Sequence, residues 1–284
     1  MADAGGPGHA PGFGPGFAPA KVNLTLHVTA QRADGLHELD SLVAFADIGD
    51  RLELAAAGRP LLSVTGPMAE GVPFDESNLV LRAAEWMGES AAFTLEKHLP
   101  AAAGIGGGSS DAAAGLRLLA ERSGRPVPPG SEVLGADVPV CLHARAMRMR
   151  GIGERLAPVN LPVLPALLVN PRVAVPTGAV FAGLSSKTHP PMPEVIPEFD
   201  AVRDAVGWIA RQRNDLEAPA IEIAPVIGEV LDRLAVLPGA LLARMSGSGA
   251  TCFALFEGVD QAKAAERAIR AARPAWWSVA TRLF

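Results

Sequence analysis

The densest chemistry in this 284-residue chain lies where Gly104-Ile105-Gly106-Gly107-Gly108 runs into Ser109, Ser110 and Asp111. Consecutive glycines reach backbone angles closed to other residues and let a ligand lie against the main chain. Ala112 to Glu121 follows with helical texture. A glycine loop that opens a helix presents unpaired N–H groups and the positive end of the helix dipole, which suits phosphate. A tight strand-to-helix turn is the plainer alternative, although one glycine would serve it. Two familiar phosphate loops do not fit. Walker A ends in Gly-Lys-Ser/Thr, and no lysine stands here. A dinucleotide fingerprint needs a third glycine where Ser109 sits.

Phosphoryl transfer to an alcohol also needs a group to take or orient the hydroxyl proton and positive charge near the moving phosphoryl. Asp137, in the proline-bounded run Gly135-Ala136-Asp137-Val138-Pro139, is a candidate base; as a bare residue it is equally a turn or helix-end Asp. Lys21 begins an apolar strand and, in isolation, reads as a strand-edge lysine. Asn23 shares its face by the two-residue strand period. His37 follows the turn Asp34-Gly35, and Ser246-Gly247-Ser248-Gly249 forms a second glycine-rich turn.

Composition narrows the classes further. Lys and Arg number 25 against 30 Asp and Glu, a net charge of −5 that argues against an electrostatic nucleic-acid binder. No tyrosine is present, so no Tyr hydroxyl or ring can serve a site, and the core must come mostly from Ala, Leu and Val. Cys141 and Cys252 lack CxxC partners, which points to reduced core thiols and leaves a zinc site without support. No apolar run reaches membrane-spanning length, and the first twenty residues resemble neither a signal nor a transit peptide. The expectation is a soluble, cytoplasmic protein with no metal-ligand cluster of its own.

The elements that must position these residues read as follows. Residues 1–19, dense in Gly and Pro, are expected to be a flexible tail. Lys21 to Thr29 alternates as a half-buried strand, Arg32 to Gly35 turns, and Leu39 to Ile48 returns. Arg51–Leu54 and Leu61–Val64 suggest a strand pair around Gly58, and Ser77 a cap for a helix running to about Met87. A strand at Ala92–Glu96 and a strand–glycine loop–helix follow, the helix cap left open among Ser109, Ser110 and Asp111. Strands are expected at 144–149, 167–169, 241–245, 251–256 and 277–283, and helices at 200–211, 226–237 and 260–271. This mixture predicts an α+β protein in two halves, residues 20–150 and 151–284.

Pro100 to Ala113, reading PAAAGIGGGSSDAA, resembles the phosphate-binding signature of the GHMP kinases. Ala20-Lys21-Val22-Asn23-Leu24, Arg32-Ala33-Asp34-Gly35-Leu36-His37, Gly135 to Pro139 and Met245 to Ala250 resemble one branch of that family, in the expected order, from about residue 18 to the end. The resemblance implies a two-domain fold with the active site in the interdomain cleft. It implies transfer of a phosphoryl group from ATP, with Mg²⁺, to the 2-hydroxyl of a small-molecule substrate, a cytidine diphosphate ester of methylerythritol, on the non-mevalonate isoprenoid route.

In that scheme Asp137 takes the hydroxyl proton and Lys21 stands beside it. Pro100, Ala101, Ala102, Ala103, Gly104, Ile105, Gly106, Gly107, Gly108, Ser109 and Ser110 hold the ATP phosphates, with Asn78 and Lys97 near the adenine. Asn23, His37 and Thr177 line the substrate pocket; Thr177 could equally cap the next helix. Phe181 covers one face of the cytosine. Leu36 stands where the family commonly has Tyr, which predicts a looser hold on the base. Other GHMP small-molecule kinases and a non-catalytic nucleotide-binding protein are the competing readings, and a homodimer stays open.

Overall fold

The computed structural model of the protein describes residues 13–284. Strands β1 (Phe17–Asn23), β2 (His27–Gln31), β3 (His37–Ala56) and β4 (Leu61–Thr65) lead into helix α1 (Leu79–Met87) and strand β5 (Ala91–Glu96). Helices α2 (Gly107–Ser123) and α3 (Val138–His143) precede strands β6 (Met147–Gly151), β7 (Arg155–Pro158) and β8 (Leu164–Asn170). Helices α4 (Thr177–Ala182), α5 (Val202–Ala210), α6 (Glu217–Ile223) and α7 (Val226–Ala235) follow. Strands β9 (Leu242–Met245) and β10 (Cys252–Leu255), helix α8 (Val259–Ala272) and strand β11 (Trp277–Leu283) close the chain.

Two compact units emerge, and neither is one consecutive stretch. The first holds the chain up to Lys21 with Ile48–Ala101 and Gly106–Arg145; the second holds Val22–Asp47, Ala102–Ile105 and Ala146–Phe284. A division at residue 150 separates them only in part, because β3 is one strand where two were expected and contributes a half to each unit.

In the first unit, Arg51–Ala56 of β3 pairs antiparallel with β5, and β4 runs parallel to β5. The expected pairing of Arg51–Leu54 with Leu61–Val64 is therefore corrected: β5 lies between them. Helix α1 buries Val80, Leu81, Ala83, Ala84 and Met87. Its cap is Asn78, not Ser77; Val80 N–H donates to Asn78 Oδ1 at 2.9 Å, while Ser77 hydroxyl donates to Asp75. Helix α2 buries a small-residue face, and a Cβ at its Gly115 would stand 3.5 Å from Leu52 and 3.6 Å from Val80. One apolar core joins Leu52, Val80, Phe93, Leu95, Leu116 and Leu119.

The expected tail lies outside the described residues as far as residue 12, and from Phe17 the chain is strand. Backbone pairing holds this Gly/Pro-rich stretch: Leu52 N–H donates to Gly16 O at 2.8 Å, and Ala18 is fully buried. Arg117 of α2 is buried too, and donates to the carbonyls of Pro15, Phe17 and Cys141.

In the second unit, the first half of β3 pairs with β2 and β6, and β7 adds beside β6. Strand β11 lies against β8, β8 against β10 and β10 against β9. Helices α4, α6, α7 and α8 supply side chains to a core around Leu167, Val169, Ile227, Val230, Leu234, Met245, Phe256 and Ile269. The alternation expected from Lys21 to Thr29 does not produce a half-exposed strand. The strand breaks between Asn23 and His27, and Lys21, Asn23, Thr25 and His27 are all buried with polar partners.

Candidate active site

A buried lysine needs a counter-charge, and Lys21 has one. Its Nζ stands 2.7 Å from Asp137 Oδ1, with the lysine side chain 5% and the aspartate 31% exposed. Asp137 occupies the residue before α3, with Pro139 in the first turn of the helix, but makes no side-chain capping bond. Its carboxylate is turned to Lys21 instead. The lysine stem lies along the glycine loop: a Cβ at Gly106 would come within 3.3 Å of Lys21 Cβ and 3.4 Å of Cε. Gly106 also holds φ +62°, so glycine is required here twice over. Cys141, one turn into α3, is sealed from solvent; burial, reinforced by nearby Asp137, pushes its thiol up to about 12, and it is no nucleophile.

The cap left open among Ser109, Ser110 and Asp111 is none of these. Gly106 is the N-cap of α2 and no side chain caps it, so the first-turn N–H groups have no intrahelical acceptor. Ser110 hydroxyl donates to Pro19 O at 2.8 Å and ties the helix to β1. Ser109 hydroxyl makes no such bond among the described residues. Pro100, Ala103 and Ile105 are buried and anchor the loop, whereas Gly108 is exposed. The stretch before the helix is turn, not the expected strand, and Ala102 takes φ +49° in it.

Under this helix start sits a buried charge cluster. Lys97 Nζ donates to Asp111 Oδ2 at 2.8 Å and to Asp50 Oδ2, and only 3% of its side chain is exposed. Burial alone would lower the lysine pKa; Asp111 and Asp50 together outweigh it and raise it. Asp111 is pushed up to about 7, mainly by burial, against the pull of Lys97 and with the push of Asp50. Asp50 Oδ1 accepts from His98 N–H at 2.6 Å and Leu99 N–H at 2.9 Å, which fixes the lead into the loop. The Lys97 ammonium is thus buried, and it lies 3.6 Å from where a Gly107 Cβ would be. Both polar atoms of Asn78 are occupied as well, Nδ2 donating to Pro73 O at 2.7 Å.

In the second unit, the glycine turn after β9 seats on Gly104. Ser246 hydroxyl donates to Gly104 O at 2.9 Å, and Thr251 N–H donates to Ala103 O at 3.1 Å. Gly104 holds φ +72°, and a Cβ there would lie 2.6 Å from the carbonyl oxygens of both Ser246 and Gly249. Asn23 N–H donates to Ser246 hydroxyl, which brings Asn23, Gly104 and the turn together. Asn214 was not singled out from the sequence, yet its Nδ2 donates to Met245 O and Gly247 O at 2.9 Å each. Nothing in its local sequence distinguishes it from a loop asparagine.

His37 and Phe181 stack with ring centroids 4.7 Å apart and planes at 24°. The His37 pKa is lowered by burial and by Lys187, which favours the neutral ring, and its buried Nε2 has no partner. Thr177 and Phe181 are four residues apart on α4 and share a face. Thr177 makes no capping bond; its hydroxyl meets Ser248 hydroxyl at 2.8 Å. Leu36, the residue before His37 in the chain, is 50% exposed. The buried pair Asp40–Arg148 (2.7 Å) holds the proline-rich loop: Met192 N–H donates to Asp40, and Arg148 donates to the carbonyls of Met192, Pro193 and Glu194.

Among the described residues no group of three or more His, Cys, Asp or Glu could hold a metal ion, and no helix is long and apolar enough to cross a membrane. Residues 78–144 match the GHMP kinases N terminal domain, and residues 195–275 match the GHMP kinases C terminal family. The chain is 59% identical over 264 residues to 4-diphosphocytidyl-2-C-methyl-D-erythritol kinase of Dinoroseobacter shibae, covering 92% of each. It is 56% identical over 263 residues to the protein of that name from Cereibacter sphaeroides, covering 91% of this chain and 95% of the relative. A crystal structure of 4-(cytidine 5'-diphospho)-2C-methyl-D-erythritol kinase superposes with TM-score 0.74 at 36% identity, covering 94% of this chain and 98% of the other.

Proposed function

The chain belongs to the 4-diphosphocytidyl-2-C-methyl-D-erythritol kinases within the GHMP kinase family, and from that premise we propose the reaction that its residues carry out. It is an ATP-dependent kinase that phosphorylates the 2-hydroxyl of 4-(cytidine 5'-diphospho)-2-C-methyl-D-erythritol, a step in making isoprenoid precursors by the non-mevalonate route. The observation that carries the mechanism is the 2.7 Å contact of Asp137 with Lys21, whose stem lies along Gly106 at the start of α2.

Asp137 accepts the proton of the 2-hydroxyl. The freed oxygen forms a bond to the γ-phosphorus of ATP as the bond to the β–γ bridging oxygen breaks, and ADP leaves with that electron pair. Lys21 holds the Asp137 carboxylate in position and offsets charge on the moving phosphoryl group. The N–H groups of Gly106 to Ser109 and the free Ser109 hydroxyl receive ATP phosphate oxygens. Lys97 and Asn78 act on ATP through the backbone they hold in place. His37, in its neutral form, hydrogen-bonds the cytosine; Phe181 and Leu36 pack near the base, and Thr177 and Asn23 line the pocket. Residues 20–150 carry the ATP and transfer chemistry in this reading, and residues 151–284 complete substrate binding. In this reading Mg²⁺ arrives with ATP, bound by its phosphate oxygens and water. The enzyme is placed in the cytoplasm.

Incubating the pure protein with ATP, Mg²⁺ and the cytidyl substrate, with product followed by phosphorus NMR, tests this reading. Wild type is expected to form the 2-phosphate, and Asp137→Ala to lose about 10³-fold in kcat while staying folded. No product from wild type defeats the assignment, and unchanged turnover by the variant defeats the role of Asp137.

A further inference from the structure

Helix α2 starts over a charge count that does not balance. Asp50, Lys97 and Asp111 are each 3% exposed or less, and the two carboxylates share one ammonium. With every group ionised, one buried negative charge is left over. Such a charge is costly, and the ordinary remedy is a proton. Hydrogen bonding says where that proton goes. Three donors already point at Asp50: Lys97 Nζ, His98 N–H and Leu99 N–H. Asp111 receives Lys97 alone, on Oδ2, and its buried Oδ1 has no partner among the described residues. That unpartnered oxygen is the place for a proton.

Few other titratable groups face Asp111. Lys97 follows β5 and Asp50 lies in β3. From α3 comes Cys141, whose thiol, pushed up to about 12 by burial, holds its own proton. The His98 ring lies 3.0 Å from Glu96 at the surface, and Lys21 of β1 is paired with Asp137. Helix α1 packs on α2 through Val80, Ala83 and Ala84, its Arg82 and Glu85 being exposed. Burial first, and then Asp50, push the Asp111 carboxyl up to about 7 against the pull of Lys97, so its proton exchanges near neutral pH.

This cluster lies under the first turn of α2, with Lys97 Nζ 3.6 Å from a Cβ built on Gly107. The N–H groups of that turn are the ones without an intrahelical acceptor. Building on the proposed kinase reading, we infer that ATP binds together with one proton, which comes from water and settles on Asp111 Oδ1. The phosphates bring negative charge to the helix start, and an ionised Asp111 one turn further along is disfavoured by it. With the proton in place, Asp50 and Lys97 balance each other and the phosphates rest over a neutral base. Above neutral pH, where the free protein has released that proton, ATP must draw it back.

Calorimetric titration of the full chain with Mg²⁺–ATP at pH 8, without the cytidyl substrate and in two buffers of different ionisation enthalpy, counts the protons taken up. Wild type is expected to take up about half a proton per ATP, and its Kd to rise about threefold per pH unit there. Asp111→Asn keeps the shape and cannot ionise, so its uptake should be about zero and its Kd profile flat. A merely structural role for Asp111 would weaken ATP binding and leave the proton count where it was. No uptake by wild type, or equal uptake by Asp111→Asn, overturns the inference. Should that variant fail to fold, Asp50→Asn takes its place. Asp111 then has Lys97 to itself, and uptake should fall below about 0.2 proton; undiminished uptake overturns the inference. If wild type binds no ATP, the kinase reading falls and this inference with it. If it binds ATP without uptake, only the inference falls.

Discussion

The two units solve different recognition problems with different bonds. Around the start of α2, the first unit gathers formal charges: Lys21 with Asp137, and Lys97 with Asp111 and Asp50. Around Gly104, the second unit uses neutral groups, Asn23, Ser41, Thr25, Ser246 and Asn214, each with a defined donor and acceptor role. Charge acts over distance and tolerates rotation of the group bearing it, which suits a migrating phosphoryl. Hydrogen bonds between neutral groups fail when an angle or polarity is wrong, and so distinguish one hydroxyl from another.

The sharpest way to break the directional region is Gly104→Ala. The added methyl would meet two carbonyl oxygens at 2.6 Å on a backbone at φ +72°, and the expected loss is about 3 kcal/mol, read by urea unfolding. A loss below about 1 kcal/mol would mean the turn moves freely, and the contrast between the units would weaken.

The charged region should respond to pH where the neutral one does not. In the folded protein Asp111 holds its proton up to about 7, against 3.8 for the ordinary carboxyl. Between these values the folded state binds more protons than the unfolded state, so this group's contribution to stability falls as pH rises from about 4 to about 7. Asp111→Asn removes that uptake. Unfolding free energies measured across this range should then change with a slope less negative than wild type by up to about 1.4 kcal/mol per pH unit. Parallel pH profiles would show Asp111 ionised throughout.

The smallest expected effect belongs to Leu36→Tyr. A ring beside the His37–Phe181 stack should lower KM for the cytidyl substrate by about 2- to 12-fold, the equivalent of 0.5–1.5 kcal/mol, with KM for ATP unchanged. An unchanged KM would show that apolar contact from leucine already suffices.

Much of this was legible from the residues. The glycine loop and the long amphipathic helices carry local signatures, and α5, α7 and α8 lie where periodicity places them. Short helices are harder: α3, α4 and α6 span six or seven residues, too few to show a period. Strand β3 runs through the Gly49-Asp50 step that looked like a boundary, because Asp50 is buried and hydrogen-bonded to the backbone ahead of the loop. The buried cluster around Lys97 was not legible, since its partners lie 47 and 14 residues away, beyond any local pattern.

The contact between Ser246 and Gly104 has a consequence for the order of events during synthesis. Gly104 leaves the ribosome 142 residues before the serine that seats it, and Asn23 waits 223 residues for the same hydroxyl. Partners so far apart must bear the full loop-closure entropy before they reward it. A nascent chain halted before β9 therefore carries the whole glycine sequence without the hairpin that shapes it, and competence to hold Asn23 in place arrives only with the last 40 or so residues.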